Sequence, residues 1–200
     1  MPEARAMIGN IAPYLRLLRE HPAFGELSEQ ALKTLVVRSD LIAFAPGELL
    51  LRQGEASDAA LLVAQGEVEV LVETAQGVVQ LGQATIGALL GEIGVFADLP
   101  RTASVRARTE AEALRIARED VLQIGGENPA FLRAVMKQLG GRIAAFNRAI
   151  GFYTAALARL ERQEFDPASL DDQQPLPELV DFARTLRRIA ERIGLRRPQS

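Results

Sequence analysis

The sequence predicts an α+β protein in which a β-barrel or jelly-roll sandwich is flanked by helices. Three observations carry this prediction. Apolar residues recur at helical spacing in residues 1–40, short β-like runs separated by glycine fill residues 41–127, and helical spacing returns from residue 128. Turn residues recur about every 8–12 positions in the middle stretch, which is typical of small sandwiches and barrels.

The composition excludes several classes of protein. The chain has 200 residues, 48% of them hydrophobic and 24% charged, which is enough apolar material for one core. Its net charge of −3 lacks the positive surplus of a nucleic-acid-binding protein, so DNA binding is not expected. With no cysteine and the single histidine His21, the chain has neither a thiolate nucleophile nor the usual ligands of a zinc site. We therefore expect no metal and no catalytic activity.

Residues 1–10 do not resemble a signal peptide, because no basic patch is followed there by an apolar stretch and a small-residue cleavage site. No window approaches the roughly eighteen consecutive apolar residues that cross a bilayer. The sequence therefore predicts a cytoplasmic protein without a transmembrane segment.

Residues 1–40 are predicted to form the N-terminal helices. Their apolar residues recur at three- and four-residue steps on either side of a break at His21-Pro22. Ser28 is a candidate N-cap of the second helical run, with Ala31 three residues later. We expect His21 to be a surface or loop residue.

The clearest strand signal in the middle stretch follows Gly66. From there to residue 72, Val68, Val70 and Val72 alternate with Glu67, Glu69 and Leu71. This period of two predicts a strand with the three valines on its buried face.

Residues 128–164 predict one long helix. Pro129 suits its first turn, and Asn128 is a candidate cap. The apolar residues are separated alternately by four and three positions, which is the pattern of a coiled-coil seam; they are Leu132, Met136, Leu139, Ile143, Phe146, Ile150, Tyr153, Leu157 and Leu160. The spacing favours a homodimer through residues 129–163, and the alternative is a single helix packed along its own barrel.

The last part of the chain divides into a linker and a further helix. Residues 165–177 are rich in aspartate and proline and predict a linker. Residues 178–195 predict an amphipathic helix with arginines largely off its apolar face. This helix can pack on its own protein, bind a partner or lie on an anionic membrane, in that order of preference.

The most informative stretch is residues 87–105. Gly91 opens a short helical turn, Glu92 follows at once, and Arg101 comes nine residues later beside the small residues Thr102 and Ala103. Exposed amides at a helix start, one guanidinium and one carboxylate suit a ligand that carries a phosphate at one point and hydroxyls at another. The alternative is a buried structural ion pair between Glu92 and Arg101.

Gly91-Glu92 followed by the sequence Pro-Arg-Thr-Ala-Ser-Val at residues 100–105 resembles the phosphate-binding cassette of the cyclic-nucleotide-binding domain family. The resemblance extends over residues 20–163. It implies that Glu92 accepts a hydrogen bond from the ribose 2′-hydroxyl and that Arg101 holds the cyclic phosphate. The ligand-binding residues implied are Gly91, Glu92, Ile93, Arg101, Thr102 and Ala103.

From Arg101 to Arg142 the chain is also similar to the sensory domain of catabolite-activator-like proteins, which are cAMP-responsive dimers. The resemblance implies that the long helix dimerises and that Phe146 and Asn147 reach the nucleotide. In that family a small hydroxyl residue contacts adenine at the position of Phe146, so this chain departs from the pattern. The DNA-reading domain of such activators has no counterpart in the sequence.

The expected function is that of a cAMP receptor, with cGMP as the alternative ligand because of the hydroxyl of Thr102. Such a regulatory protein signals through its dimer helix and C-terminal segment to a protein partner. Two other functions stay open. One is a scaffold or dimerisation protein whose barrel does not bind nucleotide, and the other is a diverged transcription regulator.

Overall fold

A computed structural model describes residues 10–75 and 77–161. It divides the chain into two units, Met1–Leu139 and Gly140–Ser200. The predicted linker at residues 165–177 and the terminal helix at residues 178–195 lie outside the described residues and stay predictions.

The N-terminal region contains two helices, α1 (Ala12–Glu20) and α2 (Glu29–Arg38), joined by a 3₁₀ turn at Phe24–Glu26. The hydroxyl oxygen of Ser28 accepts a hydrogen bond from the amide of Ala31 at 3.2 Å. This is the N-cap that the sequence predicts, and it satisfies one of the first-turn amides of α2.

His21 follows α1 directly and lies in a loop, which is one of the two predicted settings, but it is only 3% exposed and so is not a surface residue. Its Nδ1 accepts hydrogen bonds from the amides of Ala23 at 3.1 Å and Phe24 at 3.4 Å. The ring therefore closes the turn after α1 and packs against the ring of Phe24, with centroids 5.0 Å apart.

Eight strands form two antiparallel four-stranded sheets, with the orders β1-β8-β3-β6 and β2-β7-β4-β5. The first strand begins at Asp40, one residue before the predicted start of the β region. This two-sheet arrangement with flanking helices confirms the predicted α+β jelly-roll class. The strands are β1 (Asp40–Phe44), β2 (Leu49–Leu51), β3 (Ala59–Gln65), β4 (Val68–Thr74), β5 (Gly77–Ala84), β6 (Leu89–Leu90), β7 (Ser104–Ala107) and β8 (Ala111–Ala117).

Three further helices complete the described chain: α3 (Glu92–Ala97), α4 (Arg118–Glu127) and α5 (Pro129–Glu161). Pro129 opens α5, as its fixed φ predicts. The side-chain amide of Asn128 donates to the carbonyl of Ile124 at 3.1 Å and so caps the end of α4. Among the described residues, no helix is long and apolar enough to span a membrane.

Strand β3 is enclosed on both faces. Leu61 and Val63 pack into an apolar cluster between the two sheets. Ala60 and Leu62 face the opposite way, into a second cluster formed with the helices. Burying each of these larger side chains contributes about 1.5–3 kcal/mol, so β3 joins both parts of the core.

Strand β4 does not keep the alternation predicted for its valines. Val68 and Leu71 are buried, whereas Val70 and Val72 are half-buried. The pairing with β5 shifts register between Val70 and Leu71. The extra residue of this bulge is Leu81 on β5, and the prediction of a strict period of two for β4 was wrong beyond Val70.

Helix α5 begins by packing on the core. Phe131 and Val135 are buried in the cluster shared with α1 and α2. Four described residues of the predicted seam are instead exposed: Leu132 by 39%, Met136 by 60%, Ile143 by 61% and Ile150 by 46%. Leu139, a fifth seam residue, is half-buried and packs against the same core cluster. An apolar stripe therefore lies on the solvent side of α5 in the single chain.

Candidate functional site

The predicted cassette is a tight connection between β6 and β7. Gly91 follows β6 with φ 77° and ψ 1°, a left-handed conformation that favours glycine. A Cβ atom at this position would also collide with Nη1 of Arg101 and approach Cδ1 of Leu51 to 3.1 Å. Both the backbone and the neighbouring guanidinium therefore require glycine before α3.

Arg101 is buried, and its side chain crosses to the start of α3. Its Nη1 donates to the carbonyl of Gly91 at 3.2 Å. Its Nη2 lies 3.2 Å from Oδ1 of Asp58 in a salt bridge. The main chain of Arg101 is also fixed, because its amide donates to the Glu55 carbonyl at 2.8 Å and its carbonyl accepts from Gly54 at 2.9 Å.

Burial and the neighbouring carboxylates act in opposite directions on the pKa of the Arg101 guanidinium. Burial lowers the pKa of its guanidinium from the usual value, and the carboxylates of Asp58 and Glu55 act in the opposite direction, while the cation of Arg115 adds to the lowering. A desolvated cation in this position gains from a further anion that also supplies hydrogen-bond acceptors.

Glu92 is the first residue of α3 and is buried. Ile93 is exposed beside it. The first amides of a helix have no acceptor within the helix, so this end of α3 presents donors and favours negative charge. In the described part of the chain, the main-chain amides of Thr102 and Ala103 donate to no protein acceptor. The cassette thus combines a buried cation, a buried carboxylate and available amides.

Helix α3 is fixed from the side of α4. Arg118, the first residue of α4, donates through Nη1 to the carbonyl of Gly94 at 3.4 Å and through Nη2 to Oδ1 of Asp98 at 2.9 Å. Gly94 itself lies against Ser57, whose buried hydroxyl has no hydrogen-bond partner among the described residues. The position of α3 therefore depends on contacts from both β3 and α4.

The structure places six of the predicted site residues in this one loop: Gly91, Glu92, Ile93, Arg101, Thr102 and Ala103. Phe146 and Asn147 belong to α5, in the other unit. Asn147 is exposed, and the side chain of Phe146 lies outside the described residues. Their contact with a nucleotide stays a prediction.

Two residues of the site had no signal in the sequence. Asp58 precedes β3 by one residue and lies 43 positions from Arg101 along the chain. Arg115 on β8 contacts the second oxygen of the same carboxylate, with 2.6 Å between Nη2 and Oδ2. Arg101 therefore forms its ion pair with Asp58, which no local sequence pattern indicated.

Known proteins share sequence and fold with the part of the chain that contains the cassette. Residues 41–128 match the family model described as "Cyclic nucleotide-binding domain". A cAMP-dependent protein kinase regulatory subunit from Emericella nidulans is 30% identical over 113 residues, which cover 56% of this chain and 27% of the relative. This chain therefore spans about a quarter of the length of that relative.

Two solved structures share the fold. The sensor domain of the transcriptional regulator DNR from Pseudomonas aeruginosa aligns with a TM-score of 0.61 at 25% identity, covering 68% of this chain and 91% of the other. The regulatory domain of Toxoplasma gondii PKA with cAMP aligns with a TM-score of 0.54 at 20% identity, covering 56% and 43%. The two structures thus share the fold of this region, and the family match identifies residues 41–128 as a cyclic nucleotide-binding domain.

Proposed function

We propose that the chain is a cytoplasmic, non-catalytic receptor for cAMP. The observation that carries this proposal is the buried guanidinium of Arg101 beside the start of α3. A cyclic phosphate there is held by Arg101 and by amides of the cassette. Hydrogen bonds to charged groups contribute about 1.5–3 kcal/mol each, so this one contact accounts for a substantial part of a micromolar affinity.

Glu92 supplies the second anchor of the proposed complex. Glu92 is buried in the first turn of α3, close to Arg101 along the cassette. In the proposed complex its carboxylate accepts a hydrogen bond from the ribose 2′-hydroxyl. The two anchors together select a phosphate that is closed onto its own sugar.

The choice of cAMP over cGMP rests on the relative from Emericella nidulans, which is named as cAMP-dependent. Thr102 supports cGMP as the alternative, because its side chain is exposed directly after Arg101. A hydroxyl in this place offers a hydrogen bond to a guanine amino group. The base contacts proposed for Phe146 and Asn147 complete the site.

The test is a calorimetric titration of the full chain with cAMP and with cGMP. We expect binding of cAMP and a loss of at least about tenfold in Arg101→Gln, in line with the cost of one charged hydrogen bond. Arg106→Gln is the matched control, because Arg106 lies on β7 and pairs with Glu69 at 2.7 Å without taking part in the cassette.

Three results of this titration decide the proposal. If neither nucleotide gives a binding signal, the proposed receptor function is refuted. It is also refuted if Arg101→Gln binds cAMP as tightly as the wild type. If cGMP binds more tightly than cAMP, the chain is still a cyclic nucleotide receptor, but its preferred ligand is cGMP. A circular dichroism melt of each variant confirms that the comparison is made on folded protein.

The output of the receptor is proposed to run through a dimer. Exposed seam residues on α5 support this, because a stripe of apolar side chains along a helix is the surface that a second helix covers. In this proposal a nucleotide changes how residues 118–139 pack on the barrel, and a protein partner reads the C-terminal segment. A ligand drives such a change only through different affinities for the two arrangements.

A scaffold that binds no nucleotide is the second candidate. The salt bridge between Asp58 and Arg101 favours it, because the protein already supplies a counter-ion for the buried cation. Asp58 is 66% exposed at its side chain, however, and a solvated carboxylate compensates a buried guanidinium only weakly. The same titration separates the two candidates.

A further inference from the structure

The carboxylate of Asp58 is shared between two arginines. Oδ1 accepts from Nη2 of Arg101 at 3.2 Å, and Oδ2 lies 2.6 Å from Nη2 of Arg115. The pairing of β3 with β8 sets this geometry, because Leu61 on β3 lies opposite Arg115 and Asp58 immediately precedes β3. A shift in this register would separate the three charges.

Arg115 has a second carboxylate on its other side. Its Nη1 lies 3.8 Å from Oδ2 of Asp40, which is its partner in the pairing of β1 with β8. Arg115 is also more exposed than Arg101, at 29% of its side chain against 4%. The guanidinium of Arg115 is thus held in place from two strands and can bind either carboxylate without the burial that Arg101 experiences.

A phosphate that binds Arg101 creates an electrostatic conflict with Asp58. Both groups are anions, and two anions on one guanidinium repel each other, more strongly where water is partly excluded. The carboxylate must then move away from Arg101 or keep a cation beside it. Arg115 is that cation, since its planar fork can take both oxygens of a carboxylate.

We propose that Arg115 positions Asp58 for nucleotide binding: Asp58 bridges Arg101 and Arg115 in the free protein, and passes to Arg115 when the cyclic phosphate occupies Arg101. This inference rests on the proposed function and assigns a regulator of the same site. Arg115 touches no ligand in this scheme. Arg115 acts through Asp58. It compensates the carboxylate after Asp58 has left Arg101 and so lowers the free energy required for Asp58 to leave.

The test is a double-mutant cycle on the full chain, with cAMP affinity measured by calorimetry. In Arg115→Gln we expect cAMP to bind about tenfold more weakly, which is the scale of coupling between contacting charges. In the Asp58→Asn background, the same change at Arg115 should alter the affinity by less than about twofold, because the carboxylate to be displaced is absent. Arg115→Lys should recover part of the loss, since it keeps the charge but not the fork.

Arg108→Gln is the charge-matched control. Arg108 has 40% side-chain exposure and pairs with Glu67 at 3.6 Å on another part of the barrel. Its loss should leave the affinity unchanged. Melting curves of all variants, followed by circular dichroism, establish that each is folded at the titration temperature.

The outcomes separate this inference from the proposed function. If the wild-type chain binds neither cAMP nor cGMP, the proposed function fails and the role of Arg115 falls with it. If the wild type binds but Arg115→Gln binds equally well, the role of Arg115 alone is refuted. Equal losses in the wild-type and Asp58→Asn backgrounds also refute it, because Arg115 would then act on the phosphate by charge and without Asp58.

Discussion

Gly91 has a left-handed backbone, and the guanidinium of Arg101 lies where a Cβ atom of a larger residue would be. Replacing it with alanine should cost about 1–2 kcal/mol of stability for the left-handed conformation alone. The new methyl group should also displace Nη1 of Arg101, so we expect cAMP to bind at least about tenfold more weakly. Urea unfolding and calorimetry measure the two effects separately.

Gly126→Ala is the control for this substitution. Gly126 lies in α4, and nothing is within 4 Å of a Cβ atom added there. Alanine should therefore stabilise the helix slightly and leave the affinity unchanged. A Gly91→Ala variant with the affinity of the wild type would show that Arg101 does not depend on this contact.

The residues of the cassette were predictable because they follow one another along the chain. A glycine before a short helix, a carboxylate next to it and an arginine nine residues later form one local pattern. Asp58 had no such signal, because its contact with Arg101 comes from the pairing of distant strands. The burial of His21 was missed for a related reason, since its ring also contacts Gln138, which lies 117 positions along the chain, at 3.5 Å.

Helix α3 approaches β3 closely at one position. A Cβ atom on Gly94 would collide with the hydroxyl of Ser57 and lie 2.8 Å from its Cβ atom and 2.9 Å from the carbonyl of Leu99. Gly94 therefore sets how near α3 lies to the segment that leads into β3. We expect Gly94→Ala to push α3 outward and to weaken cAMP binding about tenfold.

Ser57→Gly supplies the matched test of this contact. In the double variant Ser57→Gly/Gly94→Ala the main obstruction is gone, and part of the affinity should return, whereas the contact with Leu99 remains. Calorimetric titration of the wild type, both single variants and the double variant gives the coupling between the two positions. Additive losses would show that the two residues do not share this contact.

Among the helices and strands, the sequence predicted the features that depend on local patterns. The start of α5 at Pro129 and the cap of α2 at Ser28 follow from local rules. The bulge at Leu81 did not follow from the sequence, because it depends on how β5 pairs with Val70 and Leu71 of β4. A bulge is a property of two strands and is absent from the pattern of either one.

The assembly of the whole molecule can be tested through α5. Ile143 and Ile150 are both exposed and occupy equivalent positions of the predicted seam. We expect the wild-type chain to be a dimer, with about twice its chain mass of 21.7 kDa by light scattering. Ile143→Asp/Ile150→Asp should be monomeric, since two buried carboxylates at a helix seam are strongly unfavourable.

Ala144→Asp/Ala155→Asp adds the same charges to exposed positions off the seam and should remain dimeric. A dimeric seam variant, or a monomeric wild type, would contradict the proposed mode of association. Shortening the chain before α5 is a poorer test, because it would remove Phe131 and Val135 from the core.

Strand β3 has apolar contacts on both faces, and Ser57 and Asp58 are the two residues that precede it. Hydrogen exchange should therefore be slowest along β3, because its amides become accessible only when both layers separate. The residues that hold Arg101 would then stand on the least mobile part of the protein. Motion on nucleotide binding would be left to α3 and to residues 118–139, and the anion would meet a stationary cation whose surroundings rearrange.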